Sequence, residues 1–247
     1  MSKVMIKKVA ILGAGVMGAQ IAAHCINARV PVILFDLPSK PDQPRNALAD
    51  RALEHLKKIN PAPLAQSQQT ELIEVANFED DLNKLLDADL IIEAIAERMD
   101  WKHALYEKVA PHIAPHTIFA TNTSGLSITD LADGLQEDLR SRFCGVHFFN
   151  PPRYMHLVEL IPTVSTQAQI LDQLEGFLVT TLGKGVVRAN DTPNFIANRV
   201  GVFGMLAIMH EAEKYGLSYE LVDDLTGSKL GRAKSGTFRT ADVVGLD

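Results

Sequence analysis

Two titratable residues stand where a strand would ordinarily bury only apolar side chains. His147 lies in Gly145-Val146-His147-Phe148-Phe149-Asn150, and Glu159 lies in His156-Leu157-Val158-Glu159-Leu160-Ile161. A histidine in such a run is commonly a satisfied core residue. A glutamate is harder to place, because burying an unpaired carboxylate is costly. If segments 143–148 and 156–161 form an antiparallel hairpin through Pro151-Pro152-Arg153-Tyr154, the two side chains can lie side by side. Pairing satisfies both. It also fixes the imidazole tautomer and raises its basicity, as a general base requires.

A second constellation is Gly13-Ala14-Gly15-Val16-Met17-Gly18, which fits G-x-G-x-x-G between an apolar run and a helical segment. In that context Gly13 permits a tight turn, Gly15 lets a pyrophosphate approach the backbone, and Gly18 lets helix and sheet pack closely. The exposed N–H groups and the dipole at the helix start favour phosphate. Asp36 follows the loop by about 20 residues, where a carboxylate binds the adenosine ribose hydroxyls. It would repel a 2′-phosphate, and the next residues are Leu37 and Pro38 rather than arginine, so NAD is expected over NADP. An ordinary strand–helix turn with a surface aspartate is the plainer reading of the same residues.

Other polar residues can join the site. Thr121-Asn122-Thr123-Ser124-Gly125 follows an apolar strand. Ligands in open α/β sheets bind beyond the carboxyl ends of strands, which puts Asn122 and Ser124 at the cofactor cleft. Asn198 falls one turn inside the helix after Pro193, where a helix-start cap or a surface amide fits equally well. His112 and His116 have a helical metal-ligand spacing, but Pro111 and Pro115 interrupt the segment and no carboxylate or cysteine joins them there. No metal site is expected. Met205 and Met209, beside Leu206 and Ile208, read as core or interface.

These residues need a scaffold, and the chain's periodicity supplies one. Lys7–Leu12 reads as a strand, Val16–Ala28 as a helix and Pro31–Phe35 as a second strand, a length that suits a βαβ crossover. Pro38–Pro44 is a loop, and Asn46–Ile59 a helix that Pro61 and Pro63 terminate. Further strands are expected at Ala88–Ile92, Thr117–Ala120, Phe143–Phe148, His156–Ile161 and Gly185–Arg188, with helices at Asp100–Ala110 and Gln167–Leu182. From Asn194 to Tyr215 the pattern is long, apolar and helical. The whole reads as an α/β chain: a Rossmann-type doubly wound, mostly parallel sheet over residues 1–190, then the start of an all-helical C-terminal domain over 191–247.

Composition bounds the rest. The chain has 247 residues, 47% hydrophobic and 22% charged, with a net charge of −6. That is ordinary globular composition and lacks the basic footprint of a nucleic-acid binder. An anionic substrate would need a local cationic patch. Two cysteines, Cys25 and Cys144, form no disulfide framework and read as small buried apolar residues. No apolar run approaches the ~20 residues of a membrane span. The start, MSKVMIKKVAILG, has neither a signal nor a transit pattern, so a reducing cytoplasm is expected. The end, KSGTFRTADVVGLD, carries no helix stop, so a longer parent chain is expected.

Five segments in order, VAILGAGVMG, IIEAIAE, TNTSGLSI, GVHFFNPP with VELI, and DTPNFIANRV, resemble the 3-hydroxyacyl-CoA dehydrogenase family across nearly the whole chain. The stretch from RFCGVHFFNPPRYMHLVELIP onward looks most like its long bacterial members, which often continue into an enoyl-CoA hydratase module. The resemblance implies NAD-dependent oxidation of an L-3-hydroxyacyl-CoA thioester in fatty-acid β-oxidation. It implies His147 as catalytic base with Glu159 as its partner, and Ser124 and Asn198 hydrogen-bonded to the substrate's 3-oxygen. Gly13, Gly15, Gly18 and Asp36 would hold the adenosine diphosphate. Glu97 and Lys102 match positions on the nicotinamide side, and Asn150 one beside the catalytic histidine. Lys57 and Lys58 lie in the region of the family's CoA-contacting arm, where a solvated helix face is an equal reading. The family's helical domain closes the cleft and carries the dimer contact, so the full-length protein is expected to be a homo-oligomer. Two other readings keep part of the pattern. One is a dehydrogenase for free hydroxy acids or sugar acids on the same scaffold; the other is an NAD-binding module without turnover.

Overall fold

A computed structural model describes residues 5–232 and 234–244. It divides into two compact units, Met1–Phe195 and Ile196–Asp247. The first is built on an eight-stranded sheet of order β3-β2-β1-β4-β5-β6-β7-β8. The strands are β1 Val9–Leu12, β2 Val32–Asp36, β3 Ile73–Asn77, β4 Leu90–Glu93, β5 Ile118–Thr121, β6 Phe143–Phe148, β7 Leu157–Pro162 and β8 Gly185–Arg188. β3 to β6 run parallel in the order given; β7 pairs antiparallel with β6, and β8 runs parallel to β7. This is the Rossmann-type, mostly parallel sheet that the sequence predicts.

Helices cover both faces, which is why the central strands are continuous apolar runs rather than alternating ones. On one face α1 (Val16–Asn27), α2 (Ala47–Leu56) and α6 (Ala168–Thr180) pack on Val9, Ile11, Val32, Leu34, Leu90 and Ile92. On the other, α3 (Met99–Val109), α4 (Ile128–Asp133) and α5 (Glu137–Arg140) pack on Ala10, Leu12, Ile33, Phe35, Ile91 and Phe119. Successive residues of each strand thus feed opposite core layers.

β3 is the strand that the sequence reading passes over. Its residues, Ile73-Glu74-Val75-Ala76-Asn77, lie at the sheet edge with Glu74 exposed, and a 3-10 segment at Leu82–Asp87 rather than a helix leads on to β4. A short edge strand with a charged outward position has neither the apolar run nor the crossover helix that marks its neighbours.

The second unit comprises α7 (Ala197–Lys214), α8 (Tyr219–Thr226) and α9 (Phe238–Val244). Ser218 caps α8 by accepting from Leu221 N at 3.3 Å. Buried Asp223 accepts from Phe238 N at 2.6 Å and Arg239 N at 3.2 Å, satisfying donors at the start of α9.

Candidate active site and cofactor cleft

The three loop glycines answer to different constraints. Gly13 has φ +109°, and a Cβ there would sit 2.8 Å from the Ala94 carbonyl oxygen. A Cβ on Gly18 would lie 1.9 Å from the Gly13 carbonyl oxygen, so α1 can approach β1 only with glycine at that position. Gly15 is unlike both. A Cβ there meets nothing within 4 Å among the described residues. Nor does any side chain cap the start of α1 at Gly15. The fold itself does not require this glycine. Open space in front of uncapped helix N–H groups is what a pyrophosphate requires.

Asp36 ends β2 and turns back on the loop, its Oδ2 accepting from Ala14 N at 2.9 Å and its Oδ1 from Leu37 N at 2.6 Å. Gly13, Gly15 and Asp36 share a cleft of about 540 Å³ with Phe78, Ile95 and Trp101, within the ~300–1,000 Å³ usual for small-molecule sites. The donor set, the open glycine and the carboxylate fit a dinucleotide.

β6 and β7 deliver the second constellation. His147 and Glu159 are directly opposite in the antiparallel register, and His147 Nδ1 lies 2.8 Å from Glu159 Oε2, with side chains 5% and 1% exposed. With Nδ1 engaged by the carboxylate, Nε2 is the nitrogen left to take a proton. The rings of Phe149 and Phe195 stand 4.4 and 5.7 Å from the imidazole. Phe195 and Asn194 hold φ values of +49° and +63°, a left-handed pair that costs ~1–3 kcal/mol per residue. Burial of the Phe195 ring beside His147 offsets that strain.

The loops around the pair are tied down. Asn122 Oδ1 accepts from Phe148 N at 2.9 Å while its own N–H donates to Glu93 O at 2.7 Å, joining the ends of β4, β5 and β6. Asn150 Oδ1 accepts from Gln20 Nε2 at 3.2 Å, which links the histidine loop to α1. In the loop that follows Asn150, the carbonyls of Pro152 and Met155 accept from buried Lys184; burial lowers its pKa. Asp191 accepts from Ile128 N at 3.0 Å and Thr129 N at 2.8 Å, pinning the Ser124 loop at the start of α4.

Ser124 and Glu97 meet in the turn after β5. Glu97 Oε1 accepts from Ser124 N at 2.8 Å, Gly125 N at 3.0 Å and the Thr123 hydroxyl. Burial pushes the Glu97 carboxyl up, but the Thr123 hydroxyl, the Lys102 ammonium and the two backbone N–H groups outweigh it and hold the pKa below the usual value. Lys102 does not line the cleft. Its Nζ is buried, 2.6 Å from Glu93 Oε1 and 3.6 Å from Glu97 Oε2. Asn198 stands in the first turn of α7, in the second unit. Lys57 and Lys58 are exposed beyond the last turn of α2, and Lys57 pairs with Glu54 at 2.5 Å.

Comparison with known proteins agrees with this geometry. Residues 8–192 match the family model described as 3-hydroxyacyl-CoA dehydrogenase, NAD binding domain. The chain belongs to the 3-hydroxyacyl-CoA dehydrogenase family. Its cofactor is NAD. A probable 3-hydroxyacyl-CoA dehydrogenase of Deinococcus radiodurans is 52% identical over 98% of this chain and 70% of its own length. One from Bacillus subtilis is 43% identical over 98% of this chain, which spans only 32% of that protein. Among solved structures, M. tuberculosis FadB2 superposes with a TM-score of 0.84 at 30% identity, covering 99% of this chain and 84% of that one. The (S)-3-hydroxybutyryl-CoA dehydrogenase PaaH1 of Ralstonia eutropha gives 0.80 at 29%, covering 98% and 83%.

Among the residues near the site that sequence reasoning missed are Glu93, Tyr106, Gln20 and Trp101. Glu93 carried a usable signal, a carboxylate inside Leu90-Ile91-Ile92-Glu93-Ala94-Ile95. The argument that singled out Glu159 applies to it unchanged.

Proposed function

We propose that this chain catalyses NAD-dependent oxidation of L-3-hydroxyacyl-CoA thioesters to 3-ketoacyl-CoA, with His147 as the base. The observation that carries this reading is the buried His147–Glu159 pair at 2.8 Å, on strands of the sheet whose carboxyl edge also bears the glycine loop. When bound, NAD supplies the hydride acceptor. His147 Nε2 takes the proton from the substrate's 3-hydroxyl, and Glu159 balances the imidazolium that forms. Unbalanced, that charge would be expensive in so apolar a setting. The Ser124 hydroxyl hydrogen-bonds the 3-oxygen and orients it; for Asn198, in the second unit, the family resemblance is the basis for a substrate role. Gly13, Gly15, Gly18 and Asp36 hold the adenosine diphosphate half of the cofactor. Glu97 serves the nicotinamide side, with Lys102 beside it at 3.6 Å; Asn122 belongs to the cofactor cleft and Asn150 stands beside the catalytic histidine.

Self-association and location belong to the same reading. Val200, Phe203 and Leu206 of α7 are exposed apolar side chains, and such a face suits pairing with a second copy. Among the described residues no helix is long and apolar enough to cross a membrane. Two free buried cysteines suit the reducing cytoplasm.

Positioned base catalysis contributes ~10²–10⁴-fold. His147→Ala should lower turnover of 3-hydroxybutyryl-CoA by that order while calorimetry finds NAD affinity unchanged. Turnover retained in that variant would remove His147 from the chemistry.

A further inference from the structure

The cofactor cleft and the His147–Glu159 pair leave a buried polar cluster between β4 and α3 without a purpose. Glu93 and Lys102 are 0% and 1% exposed as side chains, and Tyr106 and Thr121 are equally buried. Glu93 Oε1 accepts from Lys102 Nζ at 2.6 Å and Ile95 N at 2.7 Å. Its Oε2 accepts from the Tyr106 hydroxyl at 2.8 Å and the Thr121 hydroxyl at 2.7 Å. Four donors therefore saturate the carboxylate and fix its plane.

A buried ion pair is weak evidence for a stabilising device, because apolar replacements of similar volume are often neutral or better. What this one does is aim a charge. The Lys102 ammonium that Glu93 holds stands 3.6 Å from Glu97 Oε2. Glu97 is 40% exposed on its own, and an exposed glutamate samples many rotamers. Here its two oxygens are assigned: Oε2 faces the ammonium, and Oε1 takes the N–H groups of Ser124 and Gly125 with the Thr123 hydroxyl. The Ser124 hydroxyl also lies 3.4 Å from Oε1.

We propose that Glu93 is a positioning residue for Ser124, acting through Lys102 and Glu97. This rests on the reading in which the Ser124 hydroxyl meets the substrate's 3-oxygen. The relay runs from a carboxylate sealed in the core to a turn at the cleft. It sets the turn by which oxygen of Glu97 is offered to the backbone. Glu93→Gln replaces the carboxylate by an amide. Among the described residues the Lys102 ammonium then keeps Glu97 as its ion-pair partner and draws that carboxylate away from the turn.

The test is a double-mutant cycle in the whole chain, with Glu93→Gln, Ser124→Ala and both together, read by kcat/KM on acetoacetyl-CoA with NADH. Glu93→Gln alone should cost about 10-fold, within the coupling range of contacting networks. In the Ser124→Ala background it should cost almost nothing further. Amide exchange gives a readout independent of turnover: Ser124 and Gly125 should lose about 10-fold of protection in Glu93→Gln while the β5 amides keep theirs. Additive losses, or unchanged protection at Ser124 and Gly125, overturn the proposal and leave the assigned reaction standing. A Ser124→Ala variant with normal kcat/KM overturns both the proposal and the substrate role of Ser124. If Glu93→Gln does not fold, Tyr106→Phe removes one donor to Glu93, keeps the ring against Phe119 and Phe143, and should show the same pattern at smaller amplitude.

Discussion

Gly15 and Gly18 belong to one motif, yet substitution separates them. A methyl group on Gly18 collides with the Gly13 carbonyl at 1.9 Å, and backbone cannot move aside as a flexible side chain can. Gly18→Ala should destabilise the protein by about 1–3 kcal/mol, the usual size of an overpacking penalty. A methyl group on Gly15 meets nothing within 4 Å among the described residues, and its φ of −67° is open to any L-residue. Gly15→Ala should hold or slightly raise stability, by at most ~1 kcal/mol, because it restricts the unfolded chain. It should nevertheless weaken NAD binding, since the methyl occupies the pyrophosphate's approach. Thermal melting and NAD calorimetry on the two variants decide the matter. Normal NAD affinity in Gly15→Ala would mean that the pyrophosphate does not pass over Gly15.

Helix α3 shows how one element serves two purposes. Trp101, Ala104, Leu105 and Lys108 line the cofactor cleft, the i, i+3, i+4, i+7 stripe of a single helix face. Lys102, Tyr106 and Val109 turn the other way, into the core. Trp101 is the chain's single tryptophan. It is 53% exposed, with the Arg98 guanidinium 4.8 Å from its ring centre. Its fluorescence should change on saturation with NAD or ADP-ribose and stay constant with nicotinamide mononucleotide. Calorimetric binding of NAD without any spectral change would place the adenosine elsewhere. The sequence disclosed α3 as a helix but not its division of labour. Glu93 reaches its partners Lys102, Tyr106 and Thr121 across a turn, a helix and a neighbouring strand, and no local periodicity encodes such contacts. The His147–Glu159 pair was legible because a hairpin through a short loop has few possible registers and burial demanded a partner for the carboxylate. The edge strand β3 was not, because alternation over five residues barely differs from loop. Trp101 was missed because an aromatic residue early in a helix reads as core until the cleft beside it is seen.

At the scale of the whole molecule, the two thiols report on the first unit as a body. Cys25 lies in α1 and Cys144 in β6, both fully buried in the same apolar layer, and burial pushes each thiol up to about 12. Thiolate is the reacting species, so both are inert until that layer opens. The second unit contains no cysteine and cannot contribute to the signal. Both sulfurs pack within one continuous layer that spans α1, α2, α6 and the sheet. Opening should therefore be shared, and both cysteines should react with a thiol reagent at one common slow rate. NAD binds the closed form and lowers the open population by 1 + [NAD]/Kd, about 2.7 kcal/mol or ~100-fold at one hundred times Kd. Labelling should slow by that factor, at the same concentrations that change Trp101 emission. A fast-reacting Cys25 with a protected Cys144 would show instead that α1 opens separately, and the glycine loop would then belong to a mobile element rather than to a preformed cleft.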